Sequence, residues 1–395
     1  PGEITELAGR RDELVRCADL LTTKIARSEA EERFVSTASS VTFVGWIPEE
    51  SVPELKIALE AFDCAYDLSD PLPEEYPDVP VELKNNRVTA PLMMVTEMYS
   101  LPAYDGVDPN PFMTPFFILF YGMMMADMGY GLIMILASLF VKKKKLKGGA
   151  MKQLFDLMFL CGISTFVVGI FTGGFFGDAP TQIAGIFGRT FALPYLFSPV
   201  EDATIVLVVA FGLGVIHIIV GMAINMIHKI RTGRAFDGFC DAIPWWVVFA
   251  GIAFGALGVT WVVMIAGFVL VFLAGGRSSP KIGGKIAGGL SALYDITGYF
   301  GDILSYARLM ALMLAGGVIA NVFNKVGALT GNIFTFLLIF ALGHALNLGI
   351  NLLGCYVHDL RLQCLEFFGK FYQDGGKPFR PLSINSKYVN IINNK

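Results

Sequence analysis

The sequence predicts a mainly α-helical membrane protein: a polytopic helical domain of about eight spans, the last two long and tilted, preceded by a coiled-coil arm and a small α/β lobe. Three observations lead there. The 395 residues are 54% hydrophobic and only 16% charged, with mean hydropathy +0.59, whereas soluble domains carry about 25% charged residues. Apolar runs near the length of a bilayer crossing follow one another after Pro111. Residues 1–110 are instead charged and amphipathic, which divides the chain into a part of soluble character (1–110) and a transmembrane part (111–395).

The first element is the arm, residues 1–34. Ile4, Leu7, Leu14, Ala18, Leu21 and Ile25 recur at steps of three and four, broken only at Arg11. Such a seam flanked by charge reads as a coiled-coil strand, and a lone helix of this kind is marginal in water without a partner. The chain opens on Pro1 rather than Met and shows no signal-peptide pattern; a longer N-terminal region, able to supply that partner, is expected to precede it. The lobe, residues 40–70, follows. Val41–Val44 reads as a strand, Trp46 as a turn, Pro53–Phe62 as a helix and Cys64–Leu68 as a return strand. Residues 71–110 read as a linker, with proline and acidic side chains concentrated in 69–81.

The apolar runs are 112–141, 153–176, 203–230, 243–258, 260–275, 286–326 and 332–369. At about 1.5 Å per residue the last two exceed a hydrocarbon core of about 30 Å, so they tilt or project. Lysine and arginine concentrate in 142–147 (KKKKLK), 228–234 (HKIRTGR), 276–285 and the C-terminus, whereas 177–202 and 327–331 hold only Arg189. Positive-inside logic places the first group, with both termini, in the cytoplasm. The run 112–141 must then enter and leave on one side. Its centre, GMMMADMGYG (122–131), carries Asp127, Gly129 and Gly131 and is able to turn. One ordinary helix with an atypical charged flank is the alternative.

Two helices carry polar groups that an ordinary anchor does not need. Arg308 lies near the middle of 286–326, where an arginine costs about 2.5–3.5 kcal/mol on insertion scales. Such residues face protein or water and mark ion paths; snorkelling to headgroups is the plainer reading, open to a helix starting at Ile303. Asp295 and Asp302 interrupt the same run, and Asp302 sits about a third of a turn off the Arg308 face. No carboxylate of this chain stands out as a permanent partner, so the countercharge is expected from another chain. On the last helix, His344, Asn347, Asn351, Gly354 and His358 share an arc of about 100° with Arg361. That stripe reads as an aqueous path or as a hydrogen-bonded helix–helix seam. Ala307, Ala311, Ala315, Gly316 and Gly317 permit close approach of a neighbour near Arg308.

The stretches VTFVGWIP, NPFMTPFFILFYGMMMADMGYG, LSYARLMALMLAGG and INLLGCYVHDLRLQCLEFFGKFY, with GGKPFRP, make the chain resemble subunit a (subunit I) of the rotary V/A-type ATPases over essentially all its length. The resemblance implies a membrane domain with part of an N-terminal stator domain. It also implies partners: a proteolipid ring with one essential carboxylate per subunit, peripheral stalk subunits, a central-stalk-capping subunit and the bilayer. Two offset half-channels would bring H⁺ or Na⁺ to the ring. Arg308 matches the family's essential arginine and Arg361 a second one. Half-channel candidates are Asp295, Asp302, His344, Asn347, Asn351 and His358, with Asp127 and Asp178 for the other side. Tyr294 and Asn351 stand where eukaryotic members often have acids, and Gly316 where a histidine occurs; with the short 177–202 loop this favours a bacterial or archaeal plasma membrane.

Other classes find less support. A secondary transporter predicts an internal repeat with broken helices at matching places, and none is visible. A purely structural anchor leaves both arginines and the stripe unexplained. There is no P-loop GxxxxGK[ST] and hence no nucleotide site of that kind, and catalysis is expected on separate subunits. The six cysteines form no CxxC pair, and net charge is −4, with no basic stripe for nucleic acid. No cofactor or metal is expected.

Overall fold

The computed structural model describes residues 9–32, 34–143, 149–277 and 281–381. The chain divides into two compact units, 1–82 with 375–395, and 83–374.

In the first unit, helix α1 (Arg11–Glu31) covers most of the segment read as the arm. Leu14, Leu21 and Ile25 are exposed on it; Ile4 and Leu7 lie outside the described residues. Val35–Ser36 pairs antiparallel with Val41–Thr42. Helix α2 (Val52–Leu59) follows, with a proline in its first turn where the missing N–H costs nothing. The expected strand Cys64–Leu68 does not form: the segment has no ladder partner, and Tyr66 and Leu68 are exposed. Pro80–Val81 instead pairs in parallel with Lys377–Pro378.

The second unit is helical and begins earlier than the sequence reading put it. Residues 83–110, read as linker, contain α3 (Ala90–Tyr99), whose Leu92 and Val95 are fully buried. A helix with such a face belongs to the core it packs on. Asp108 then anchors the entry to α4 (Asn110–Met125) by accepting from the Asn110 backbone N–H at 3.0 Å and its side-chain amide at 2.8 Å.

The region 112–141 is two helices, α4 and α5 (Met128–Lys143), and the chain reverses between them. Both lie on α6 (Ala150–Thr172). Gly122 of α4 faces Ser164, and the Ala126 carbonyl, just past the end of α4, accepts from Thr172 Oγ1, so α4 runs with α6. On α5, Met128 lies at Gly169, Gly131 at Gly162 and Lys142 at Asp156, so α5 runs against it. The reversal needs Ala126 in the left-handed region (φ 36°), uncommon for a residue with a Cβ. Asp127 holds it there. Its carboxylate accepts four backbone N–H groups: Gly129 at 2.8 Å, Tyr130 at 3.2 Å, Phe176 at 2.9 Å and Gly177 at 2.7 Å. Residues 144–147 of the KKKKLK run lie outside the described residues.

Beyond a short α7 (Ala179–Ile186), the chain continues through α8 (Ala203–Arg231), α9 (Ala235–Ala256) and α10 (Val262–Gly275). The run 286–326 is one 48-residue helical path, Ile282–Leu329, in three segments: α11 (Ile282–Tyr294), α12 (Ile296–Ser305) and α13 (Ala307–Leu329). The last path, Ile333–Lys370, has 38 residues: α14 (Ile333–Arg361), a π-type turn Leu362–Phe367 and one 3₁₀ turn to Lys370. At about 1.5 Å per residue both outrun a bilayer core. Five described helical paths are long and apolar enough to cross a membrane, with Val262–Gly275 a shorter apolar helix. Helix ends on the basic side are tied by charge: Asp241 of α9 pairs with Lys229 at 2.5 Å and with Arg277 at 2.7 Å.

Candidate ion-path site

Arg308 is at the start of α13, one residue past the break after α12, with its side chain mostly buried. Its Nη2 donates to Ser305 Oγ at 3.3 Å and lies 3.6 Å from Glu366 Oε1. Its Nη1 is buried without a hydrogen-bond partner among the described residues. The expectation that no carboxylate of the chain meets Arg308 is therefore corrected: Glu366, only 5% exposed in its side chain, is the internal acid. The contact is loose, because charge-assisted N–H···O bonds are about 2.7–2.9 Å long. Asp302 does not serve Arg308; it pairs with Lys370 at 2.5 Å, whose ammonium also lies over the Tyr299 ring. Arg361 acts on Arg308 as a like charge.

Around this pair the π-type turn gathers polar groups that the sequence reading passed over. An α-helix that takes in one extra residue shifts its following side chains around the axis. Here the turn places Gln363, Glu366 and Phe367 on the buried face with Asp359. Phe367 stacks on His217 of α8 with centroids 4.1 Å apart, and Phe116 lies tilted against the same imidazole at 4.3 Å. His217 Nδ1 bonds Tyr306 OH at 2.8 Å, and Gln363 Nε2 donates to Asp359 Oδ1 at 3.3 Å. Tyr306 has Glu366, Asp302 and Asp359 as charged neighbours. Seven buried side-chain polar atoms lack a partner among the described residues, and five belong here: His217 Nε2, Arg308 Nη1, Asp359 Oδ2, Gln363 Oε1 and Glu366 Oε2. Buried polar atoms are almost always satisfied, by protein or by water, so a concentration of five without a partner in one place sets this cluster apart from the rest of the described core. Beside it, a cavity of about 360 Å³ is lined by Asp241, Asp295, Tyr299 and Lys370.

The stripe on α14 divides. His344, Asn347 and Asn351 are buried, whereas His358 is half-buried and Arg361 exposed. Buried positions follow the i+4 row 347, 351, 355, 359, which turns about 40° per step and so reaches Asp359 rather than His358. The three buried members join a second network. Asn351 donates to Asn347 Oδ1 at 2.8 Å, and Asn347 donates to Tyr130 OH at 2.8 Å and to the Gly316 carbonyl at 3.1 Å. Having accepted from Asn347, the Tyr130 hydroxyl gives its proton to His344 Nδ1 at 2.6 Å. His344 is then left to donate from Nε2 to Asn324 Oδ1 at 3.0 Å. Asn324 donates to Asp178 Oδ1 at 3.0 Å and to the Phe176 carbonyl at 2.7 Å, and Gln182 reaches Asp178 Oδ2 at 2.7 Å. Along the line Asn351, Asn347, Tyr130, His344, Asn324 and Asp178, each residue donates to the next. Tyr130 and Asn324 were not foreseen, although each is a lone hydrogen-bonding side chain in an apolar stretch. Asp295 is exposed and joins neither network.

Comparison with known proteins settles the family. Residues 32–204 match the V-type ATPase 116kDa subunit family. The A-type ATP synthase subunit I of Methanocaldococcus jannaschii is 34% identical over 419 residues, covering 95% of this chain and 60% of the relative. This chain belongs to the subunit I family of A- and V-type ATPases. Other subunit I relatives agree. The A-type ATP synthase subunit I of Pyrococcus horikoshii is 32% identical (94% of this chain, 58% of the relative), and the V-type ATP synthase subunit I of Borreliella burgdorferi is 28% identical (85% and 59%). The chain thus spans about 60% of the length of the subunit I proteins it matches.

Proposed function

We propose that the protein is the stator subunit of a rotary V/A-type ATPase. In this reading it provides two ion half-channels beside a proteolipid ring and couples H⁺ or Na⁺ movement to ATP hydrolysis or synthesis elsewhere in the complex. The observation that carries it is Arg308: a guanidinium near the middle of a 48-residue apolar helical path, with Nη1 unpartnered among the described residues and Nη2 only loosely held. A fixed cation there stabilises an ionised ring carboxylate opposite it. A neutral, ion-loaded carboxyl turns away into lipid; a bare one does not, because an unpaired charge in hydrocarbon is costly. Arginine suits the task because it stays protonated when desolvated. The same charge repels cations that would leak straight between the half-channels. Arg361, exposed on the neighbouring helix, adds to that barrier.

The two networks suit the two half-channels unequally. The cluster of His217, Tyr306, Asp359, Gln363 and Glu366, with Asp295 and Asp302 nearer the basic start of their path and His358 next to Asp359, supports a hydrated path on the lysine- and arginine-rich side. The ladder from Asn351 to Asp178 supports a polar track on the opposite side, in which Asp127 pins the reversal rather than carrying the ion. Stalk contacts belong to the arm and lobe, whose seam residues are exposed. The ring, the peripheral stalks and the central-stalk-capping subunit are the partners this role requires.

Replacing Arg308 with Ala in the assembled complex tests the reading. ATP-driven ion uptake into vesicles is expected to disappear with assembly intact. Normal pumping by an assembled Arg308→Ala complex would leave only an anchoring role, and substrate uptake by this chain alone would indicate a transporter.

A further inference from the structure

We propose that Glu366 is an exchangeable countercharge for Arg308, occupying the guanidinium whenever no ring carboxylate does and yielding it when one arrives. The inference rests on the ion-path reading above and adds a residue to it.

The geometry fits exchange better than a permanent pair. A structural arginine–carboxylate pair in a buried site is bidentate and short, with the remaining lone pairs satisfied. Here a single nitrogen and a single oxygen approach to 3.6 Å, while Arg308 Nη1 and Glu366 Oε2 are both buried and unpartnered among the described residues. Each group therefore keeps hydrogen-bonding capacity free. Glu366 is held by the π-type turn on α14's path and Arg308 by the break between α12 and α13, so the two are carried on different elements. Arg361 acts on Arg308, and Tyr306 and Cys364 interact with Glu366; the other titratable groups on the surrounding elements are Asp302 of α12, His217 of α8, and Asp359 and Lys370 of Glu366's own path. Asp302 and Lys370 neutralise one another. Arg361 is a like charge to Arg308, so an unopposed Arg308 would carry a strongly positive local field.

Two consequences follow. With Glu366 ionised beside it, Arg308 is stable between visits of successive ring acids. The acid also lowers the field a ring carboxylate experiences, so the carboxylate is held firmly enough to stay ionised and weakly enough to leave.

The test uses the assembled ATPase. Glu366→Gln keeps shape and removes charge; Glu366→Asp keeps charge. The pH midpoint at which dicyclohexylcarbodiimide labels the ring carboxyl, a reagent that needs the protonated acid, is measured together with ATP-driven pumping. Glu366→Gln should shift the midpoint down by about one pH unit, a tenfold change in protonation, and slow pumping. Glu366→Asp should restore both toward wild type. An unchanged midpoint in an assembled Glu366→Gln complex overturns the proposal, as does an equal loss in Glu366→Asp. Arg308→Ala is measured alongside: if it pumps normally the ion-path reading fails, whereas if only the Glu366→Gln midpoint stays put, the exchange alone fails.

Discussion

Asp127 and His344 show how far a polar residue in an apolar run is from being a channel residue by default. Asp127 accepts four backbone N–H groups from two segments, and Thr172 Oγ1 donating to the Ala126 carbonyl and Met128 N–H donating to the Gly174 carbonyl add only single bonds at the reversal. Replacing it with alanine leaves those donors buried, at about 1–3 kcal/mol each where they stay dry. Asp127→Ala should therefore lose several kcal/mol of stability, seen as a large fall in the thermal midpoint of the purified protein. His344 is milder. His344→Ala removes two bonds and leaves Tyr130 OH and Asn324 Oδ1 short of a partner. Membrane hydrogen bonds average about 0.6 kcal/mol, so about 1 kcal/mol is expected, measured by denaturant or heat. A fall as large as that of Asp127→Ala would contradict the ladder as drawn.

At the scale of elements, much was legible. Seven apolar runs, the turn in GMMMADMGYG and the length of the last two paths all follow from hydropathy and from glycine beside aspartate. Arg308 was legible because one guanidinium stands in an apolar helix. Glu366, Asp359 and Gln363 were not, for a geometric reason: a constant 100° per residue carries the stripe to His358 and Arg361, whereas the i+4 row and then the π-type turn carry the buried face to Asp359 and Glu366. His217 carried a signal, a lone imidazole in the run 203–230. The linker reading of 83–110 failed because a ten-residue helix is too short for its periodicity to stand out. Because the π-type turn takes in one extra residue, deleting Cys364 should let the path run as regular α-helix with Glu366 and Phe367 still on the buried face. The complex is expected to purify and to keep pumping. Gly169 tests the other feature: a Cβ there meets the Met128 backbone at the reversal. Gly169→Val should destabilise by about 1–3 kcal/mol or more, read from thermal inactivation.

For the whole molecule, the basic segments share one side only if the chain reverses between α4 and α5, and the packing of both on α6 in opposite directions supplies that reversal. Engineered single cysteines check the resulting orientation. Arg234→Cys should react with a membrane-impermeant maleimide only from the cytoplasmic face, and Ala192→Cys only from the other. Labelling of both from one face would remove the topology on which two opposed half-channels depend. The central claim concerns the guanidinium of Arg308, and an electron-microscopy map of the assembled ATPase, sharp enough to place side chains, addresses it most directly. A ring carboxylate within about 3 Å of an Arg308 guanidinium nitrogen is the result expected. A guanidinium turned to lipid headgroups, or locked bidentate on Glu366 with no ring residue near it in any rotational state, would contradict it.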